Sequence, residues 1–105
     1  MSQRFVYVTT ATVEEAGNIG KALVEARLAA CANVIGAIQS YYWWEGAVQQ
    51  DTEAALILKT RDDLVEALTS MVKELHSYDC PCVVALPIEG GNPEFLAWID
   101  AETKA

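Results

Sequence analysis

The first third of the chain alternates between strand-like and helix-like patterns. Residues 5–10 are β-branched and aromatic, which is typical of a strand. Thr12 followed three residues later by Glu15 is a capping-box sequence, with Thr12 as the N-cap and Glu15 reaching back to the main chain. Apolar residues then recur at helical spacing, so the pattern predicts a helix that ends near Cys31.

Two long strand patterns follow and predict a hairpin. Residues 34–44 and 48–59 are rich in β-branched, aromatic and other apolar residues. Glu45-Gly46 stands between them, and a glycine in this place supplies the positive φ that a tight hairpin turn needs. We therefore expect an unusually long hairpin with its tip at Gly46.

The second half of the chain repeats the helix and strand alternation. A helix beginning at Asp62 or Asp63 carries apolar residues on one face, and residues 82–88 form a further strand pattern. Asn92-Pro93 is typical of the N-cap and first position of a last short helix. The order βαββαβ plus a terminal helix predicts an α+β, ferredoxin-like fold. We expect a single domain over residues 1–105.

Composition and charge narrow the possible partners. The chain is 52% apolar and 21% charged, with a formal net charge of -8. Its seven basic residues are scattered, so we expect no binding to nucleic acid or to an anionic membrane surface. No segment reaches the roughly 20 apolar residues of a membrane span. Three cysteines make an odd number, so we expect the reducing cytoplasm as the location.

Four aromatic residues occupy positions 41–44, at the tip of the predicted hairpin. Strand alternation puts Tyr41 and Trp43 on one face and Tyr42 and Trp44 on the other. If one face packs on this domain, the other is exposed, and each aromatic side chain can bury about 150–250 Å². We therefore expect a homo-oligomer that covers these residues. The alternative is a hairpin folded back on its own helices.

One segment carries candidate metal ligands. His76, Cys80 and Cys82 lie within seven residues, and two thiolates with an imidazole suit a soft ion such as Cu(I) or Zn²⁺. The alternative is that Cys82 is a small packing group of a buried strand. Cys31, at the predicted helix end, is also expected to pack in the core.

The other polar residues of the sequence do not indicate one specific function. Lys59 and Arg61 end an apolar strand, where two cations can hold a phosphate or a carboxylate, or simply face solvent. The chain has no phosphate-binding loop, and nothing predicts a nucleophile, base and orienting group in one site. We therefore expect a protein that is not an enzyme.

Five ordered blocks of sequence resemble the CutA divalent-cation-tolerance family. They cover nearly the whole chain and lie at residues 28–33, 40–46, 58–61, 76–81 followed by 85–88, and 91–99. The resemblance implies a tight trimer, similar in architecture to PII-type signalling proteins, with ligand clefts between subunits. It also implies a role in tolerance to copper and other divalent cations, and copper or another divalent ion as the ligand.

The resemblance also suggests site residues, with departures from the family pattern. We expect Asn33, Lys59, His76 and Tyr78 to line a cleft between subunits, with Trp44 supplied by a neighbour. Some members of the family are assigned copper ligands at a strand-one cysteine and at a His-His pair. Of these, only His76 is present here, so the two thiols of the segment 80–82 would have to replace the missing ligands.

Two other function classes stay open: a PII-like regulatory protein, and a small enzyme that would use His76 or a thiol. A PII-like regulatory protein would bind a small anionic ligand and act through a protein partner. In that case the cations Lys59 and Arg61 would be the important residues, and metal alone would have little effect.

Overall fold

The computed structural model describes residues 2–104 and has four strands and three α-helices. This confirms the predicted order βαββαβ with a terminal helix. A short 3-10 turn over Asp62–Leu64 precedes the second helix. The elements are β1 (Gln3–Thr10), α1 (Val13–Glu25), β2 (Cys31–Trp44), β3 (Ala47–Arg61), α2 (Val65–Leu75), β4 (Val83–Pro87) and α3 (Pro93–Glu102).

The strands form one antiparallel sheet in the order β2-β3-β1-β4. The helices α1 and α2 cover one face, where Val6 and Leu56 of the sheet pack with Ile19 and Leu68 of the helices. The opposite face has no such cover among the described residues, and we name it the open sheet face. Its apolar side chains include Phe5, Tyr7, Ile57, Val84 and Leu86.

Local signals begin α1 and α3 where the sequence predicts, whereas α2 begins at Val65, after the 3-10 turn. The hydroxyl oxygen of Thr12 accepts a hydrogen bond from the Glu15 N–H at 3.1 Å. The Glu15 carboxylate reaches back and accepts from the N–H of Ala11 at 3.1 Å. Asn92 caps α3 through its side-chain oxygen, and Pro93 occupies the first turn. All three are predicted capping interactions, and they are confirmed.

The prediction that the first helix reaches Cys31 is wrong. The helix ends at Glu25, because Arg27 has a left-handed φ of 64° and the Leu28 N–H turns back to the Leu23 carbonyl. Cys31 instead opens β2, directly opposite Lys59 of β3.

The hairpin extends well beyond the rest of the sheet. Strand β1 reaches only as far as Ala54 of β3, so residues 38–44 and 47–53 pair only with each other. We call this overhang the ribbon. Its turn, Glu45-Gly46, has φ of 51° and 78°, which confirms the predicted tight turn.

Candidate functional site

A β-bulge decides which side chains of the ribbon lie on the same side as the open sheet face. The pairing slips by one residue between Ile35 and Ile38, where Ala37 has a positive φ of 57°. Beyond the bulge Tyr42 shares a face with Asp51 of β3. By strand alternation this is also the side of β3 that carries Lys59.

Two tyrosine hydroxyls donate to carboxylates near the base of the ribbon. Tyr42 donates to Asp51, and Tyr78 donates to Glu53 at 2.7 Å. The bond to Asp51 raises the pKa of Tyr42. Burial, followed by the bond to Glu53, raises the pKa of Tyr78 strongly. Both phenols therefore stay protonated at neutral pH and serve as hydrogen-bond donors, not as bases.

Asn33 and Lys59, two of the predicted cleft residues, contact each other within one chain. The Lys59 ammonium donates to the side-chain oxygen of Asn33 at 2.5 Å. By contrast, the Arg61 guanidinium donates twice to the Asp63 carboxylate and once to the Thr103 carbonyl. Of the two cations Lys59 and Arg61, Lys59 is therefore the one that remains available to an outside anion.

His76 is enclosed and fully hydrogen bonded. Its side chain has no exposed surface. The Nδ1 atom accepts the Tyr78 N–H at 3.0 Å, so Nε2 carries the proton and donates to the Thr9 carbonyl at 2.7 Å. Both nitrogens are thus occupied, and a metal ion would have to displace one of these bonds to bind the ring.

Glu15 lies beside this histidine. Its carboxylate is 3.7 Å from Nδ1 of His76 and accepts the Ser77 N–H at 2.7 Å. Burial acts to raise the pKa of Glu15, but the hydrogen bonds from Ser77 and Ala11 outweigh it, and the pKa is lowered. The carboxylate therefore stays charged and joins the start of α1 to the end of α2.

The predicted three-ligand metal set is not assembled within one chain. Cys80 is exposed and Cys82 half-buried, in the loop before β4, while the His76 ring is committed to Thr9 and Tyr78. Within residues 2–104 no group of three His, Cys, Asp or Glu side chains is placed to hold a metal ion. The donors present in a single chain therefore do not fit a complete site.

Trp44 lies far from the other predicted cleft residues of its own chain. Its register partner Ala47 stands twelve residues before Lys59 on β3. At about 3.3 Å per residue the separation is roughly 40 Å. Because of this separation, a cleft that contains both Trp44 and Lys59 has to combine two chains. Trp44 is 56% exposed in the single chain and is therefore accessible to a neighbour.

Sequence reasoning did not find Asp51 and Glu53 as partners of the tyrosines. Tyr78 and Glu53 are separated by 25 positions. The Tyr42–Asp51 contact depends on the register beyond the bulge, for which Gly36, inside the strand pattern, is the available sequence signal.

Comparison with known proteins decides the family. The family model described as CutA1 divalent ion tolerance protein matches residues 4–102. The chain belongs to the CutA1 divalent ion tolerance family. It is 48% identical over 96 residues to the divalent-cation tolerance protein CutA of Archaeoglobus fulgidus, covering 91% of this chain and 93% of that one. The corresponding Thermus thermophilus protein is 44% identical over 101 residues, covering 96% and 98%.

Solved CutA structures share the whole fold. The crystal structure of CutA1 from Oryza sativa has a TM-score of 0.96 at 45% identity and covers 99% of this chain and 95% of that one. The CutA1 structure from Thermus thermophilus has a TM-score of 0.95 at 43% identity, covering 97% and 99%. The expected family and ferredoxin-like α+β fold are thereby confirmed.

The plant relatives are longer than this CutA-family chain. It spans 56% of the rice protein named CutA 1, chloroplastic, and 54% of the chloroplastic CutA of Arabidopsis thaliana. The solved structure of CutA from Archaeoglobus fulgidus is described as that of a periplasmic divalent cation tolerance protein. The names of these relatives describe divalent-cation tolerance or CutA and state no enzymatic reaction. No helix among residues 2–104 is long and apolar enough to cross a membrane.

Proposed function

We propose that this CutA-family protein acts in divalent-cation tolerance as a homotrimer that binds a metal ion or a small ligand in the clefts between its subunits. The observation that carries the proposal is the uncovered open sheet face, continued by a ribbon whose two strands pair with no third strand among the described residues.

Large apolar side chains are exposed on both surfaces. On the open sheet face, Val84 and Leu86 are 48% and 51% exposed. On the ribbon, Tyr41 and Trp43 are 66% and 74% exposed. Monomers rarely show apolar patches above a few hundred Å², and an isolated two-stranded hairpin is only marginally stable. Further copies of the chain would cover both surfaces.

The sheet edges favour a closed ring. Strands β2 and β4 are the two edges, and they run in opposite directions because each of the three steps across the sheet is antiparallel. A neighbour's β4 can therefore add to β2 as an antiparallel strand. Contacts between two different surfaces generate rings when the rotation closes. Three copies would then turn their open sheet faces toward a common axis.

The ribbon has the length to reach a neighbouring subunit. Its seven residues on β3, 47–53, extend roughly 23 Å beyond the shared sheet at about 3.3 Å per residue. Trp44 at its tip would meet the neighbour's surface. In this arrangement Asn33, Lys59 and Tyr78 would line a cleft that Trp44 of another copy closes.

For metal, the proposal rests on the two cysteines. Soft thiolates favour Cu(I), and binding requires that both thiols lose their protons. Since one chain holds no three-ligand set among its described residues, a further ligand would come from a neighbouring subunit. His76 would then have a structural role near Cys80 and Cys82, not a ligand role.

The role we propose is binding, not catalysis. The Tyr42 and Tyr78 hydroxyls are held protonated, and both nitrogens of His76 are hydrogen bonded. We also propose the cytoplasm as the location, because Cys31, Cys80 and Cys82 are free thiols.

A small-anion regulatory function is the second candidate, and it is favoured by Lys59. This ammonium lies on the open sheet face beside an amide, whereas the neighbouring Arg61 is committed to Asp63. A phosphate or carboxylate ligand would accept from Lys59 and from the amide nitrogen of Asn33.

Ligand titrations of the purified oligomer test the two candidates together. Cu(I), supplied in competition with a Cu(I) chelator, and inorganic phosphate are titrated separately by calorimetry. We expect Cu(I) binding that Lys59→Met leaves unchanged. Phosphate binding that Lys59→Met abolishes, without Cu(I) binding, would support the regulatory candidate and contradict the metal proposal.

A further inference from the structure

We infer that the groove between α1 and α2, on the helix side of the sheet, is a docking site for a basic, partly apolar segment of another protein. This surface lies on the opposite side of the domain from the open sheet face. It therefore remains accessible in the proposed trimer and adds a function to it.

The groove has an apolar floor and a polar rim. Its volume is about 520 Å³. The floor contains Ile19 and Ala22 of α1 and Leu75 at the end of α2, and the rim includes Glu14 and Glu15. Leu75 is 48% exposed, a large fraction for such an apolar side chain at the end of a helix.

The charge of the groove selects a cationic partner. No lysine or arginine lines it among the described residues. Glu14 is exposed and forms no ion pair with another residue of the segment 2–104, while Glu15 is kept charged by the N–H donors of Ser77 and Ala11. The end of α2 adds the partial negative charge of a helix C-terminus. The net charge of -8 attracts a basic segment at longer range.

The combination of floor and rim matches lysine and arginine side chains. Their aliphatic stems cover apolar surface while the charged ends stay near carboxylates and water. Leu75 and Ala22 offer that surface, and the Glu14 carboxylate lies at its border. A leucine or similar side chain next to the cation would fill the remaining floor.

A labelled peptide tests the site. The probe is a short peptide of alternating leucine and lysine, and its counterpart has glutamate in place of lysine. Fluorescence anisotropy of the intact oligomer should show binding of the lysine peptide alone, weakened by salt. Glu14→Gln and Leu75→Ser should each weaken binding by about two- to fivefold, the range of a partly exposed contact.

Glu25→Gln is the matched control, because it removes the same charge from the same helix outside the groove. It should leave the affinity unchanged. Methyl chemical shifts of Ile19 and Leu75, but not of Leu86, should move on titration. Equal losses in Glu14→Gln and Glu25→Gln, or no effect of Leu75→Ser, would show only general attraction to an acidic protein and overturn the inference. The mass of the oligomer is measured separately, so failure here leaves the trimer proposal intact.

Discussion

The Nε2–H of His76 donates a hydrogen bond to the main-chain carbonyl of Thr9 at 2.7 Å. This bond ties the end of α2 to the end of β1, across 67 positions of sequence. Because Nδ1 also accepts the Tyr78 N–H, the imidazole organises the start of the loop that leads to Cys80 and Cys82. Removal of the imidazole should therefore lower the stability of the fold.

Replacing His76 with alanine should destabilise the fold. The change leaves a cavity and removes the partners of the Thr9 carbonyl and of the Tyr78 N–H. We expect a loss of about 2–4 kcal/mol in the free energy of unfolding. Urea denaturation measures it, with Glu14→Ala at an exposed position as the control. Unchanged stability together with lost Cu(I) binding would show that the ring is a ligand after all.

The two loop thiols should dominate Cu(I) binding. Cys80→Ser and Cys82→Ser should each lower the Cu(I) affinity at least tenfold, which is about 1.4 kcal/mol, in competition with a Cu(I) chelator. The affinity should also fall as the pH drops toward 5, because protons compete for the thiolates. Cys31→Ser is the matched control, since it removes the third free thiol, which lies opposite Lys59. If neither loop variant changes the affinity, the thiol site does not exist.

Glu15 should make stability depend on acid pH. Its pKa in the folded state lies below the ordinary value of 4.5, so the charged form is favoured by folding. The contribution is therefore fully present above the unfolded-state pKa and is lost as the pH falls through the lower, folded-state value. Glu15→Gln should flatten the decline in stability below about pH 4.5, because it removes the carboxylate whose charged form the fold favours. Denaturation midpoints across this range check the slope.

Removing the aromatic side chain of Trp44 at the ribbon tip should weaken assembly of the oligomer. Trp44 is 56% exposed in the single chain and is proposed to pack on a neighbour. Removing a packed aromatic side chain costs about 3–5 kcal/mol. Trp44→Ala should therefore shift dissociation to higher protein concentration in analytical ultracentrifugation, while circular dichroism of the chain stays the same. An unchanged dissociation constant would place the ribbon tip outside the interface.

The sequence predicts those parts of the fold that local chemistry determines. Thr12 with Glu15, Asn92 with Pro93, and the turn at Gly46 each satisfy backbone groups within a few residues, and each is where the pattern put it. The end of α1 was predicted wrongly because the sequence offers no such local signal there. The apolar spacing continues past Arg27, whose left-handed φ has no glycine to indicate it.

The arrangement of the candidate site could be predicted only in part. Asn33 and Lys59 meet because they lie near each other on paired strands, which the hairpin already implies. The tyrosine and carboxylate pairs depend on a one-residue bulge, and the direction of the His76 ring depends on Thr9, far away in sequence. Such contacts come from tertiary packing, which spacing along the chain does not encode.

The mass of the purified protein in solution tests the central claim most directly. We propose that further copies of the chain cover the open sheet face and the ribbon, and that three copies close the ring. Light scattering at micromolar concentration should therefore give about three times the 11.5 kDa mass of one chain. A mass of one chain at that concentration would contradict the trimer and, with it, every cleft between subunits.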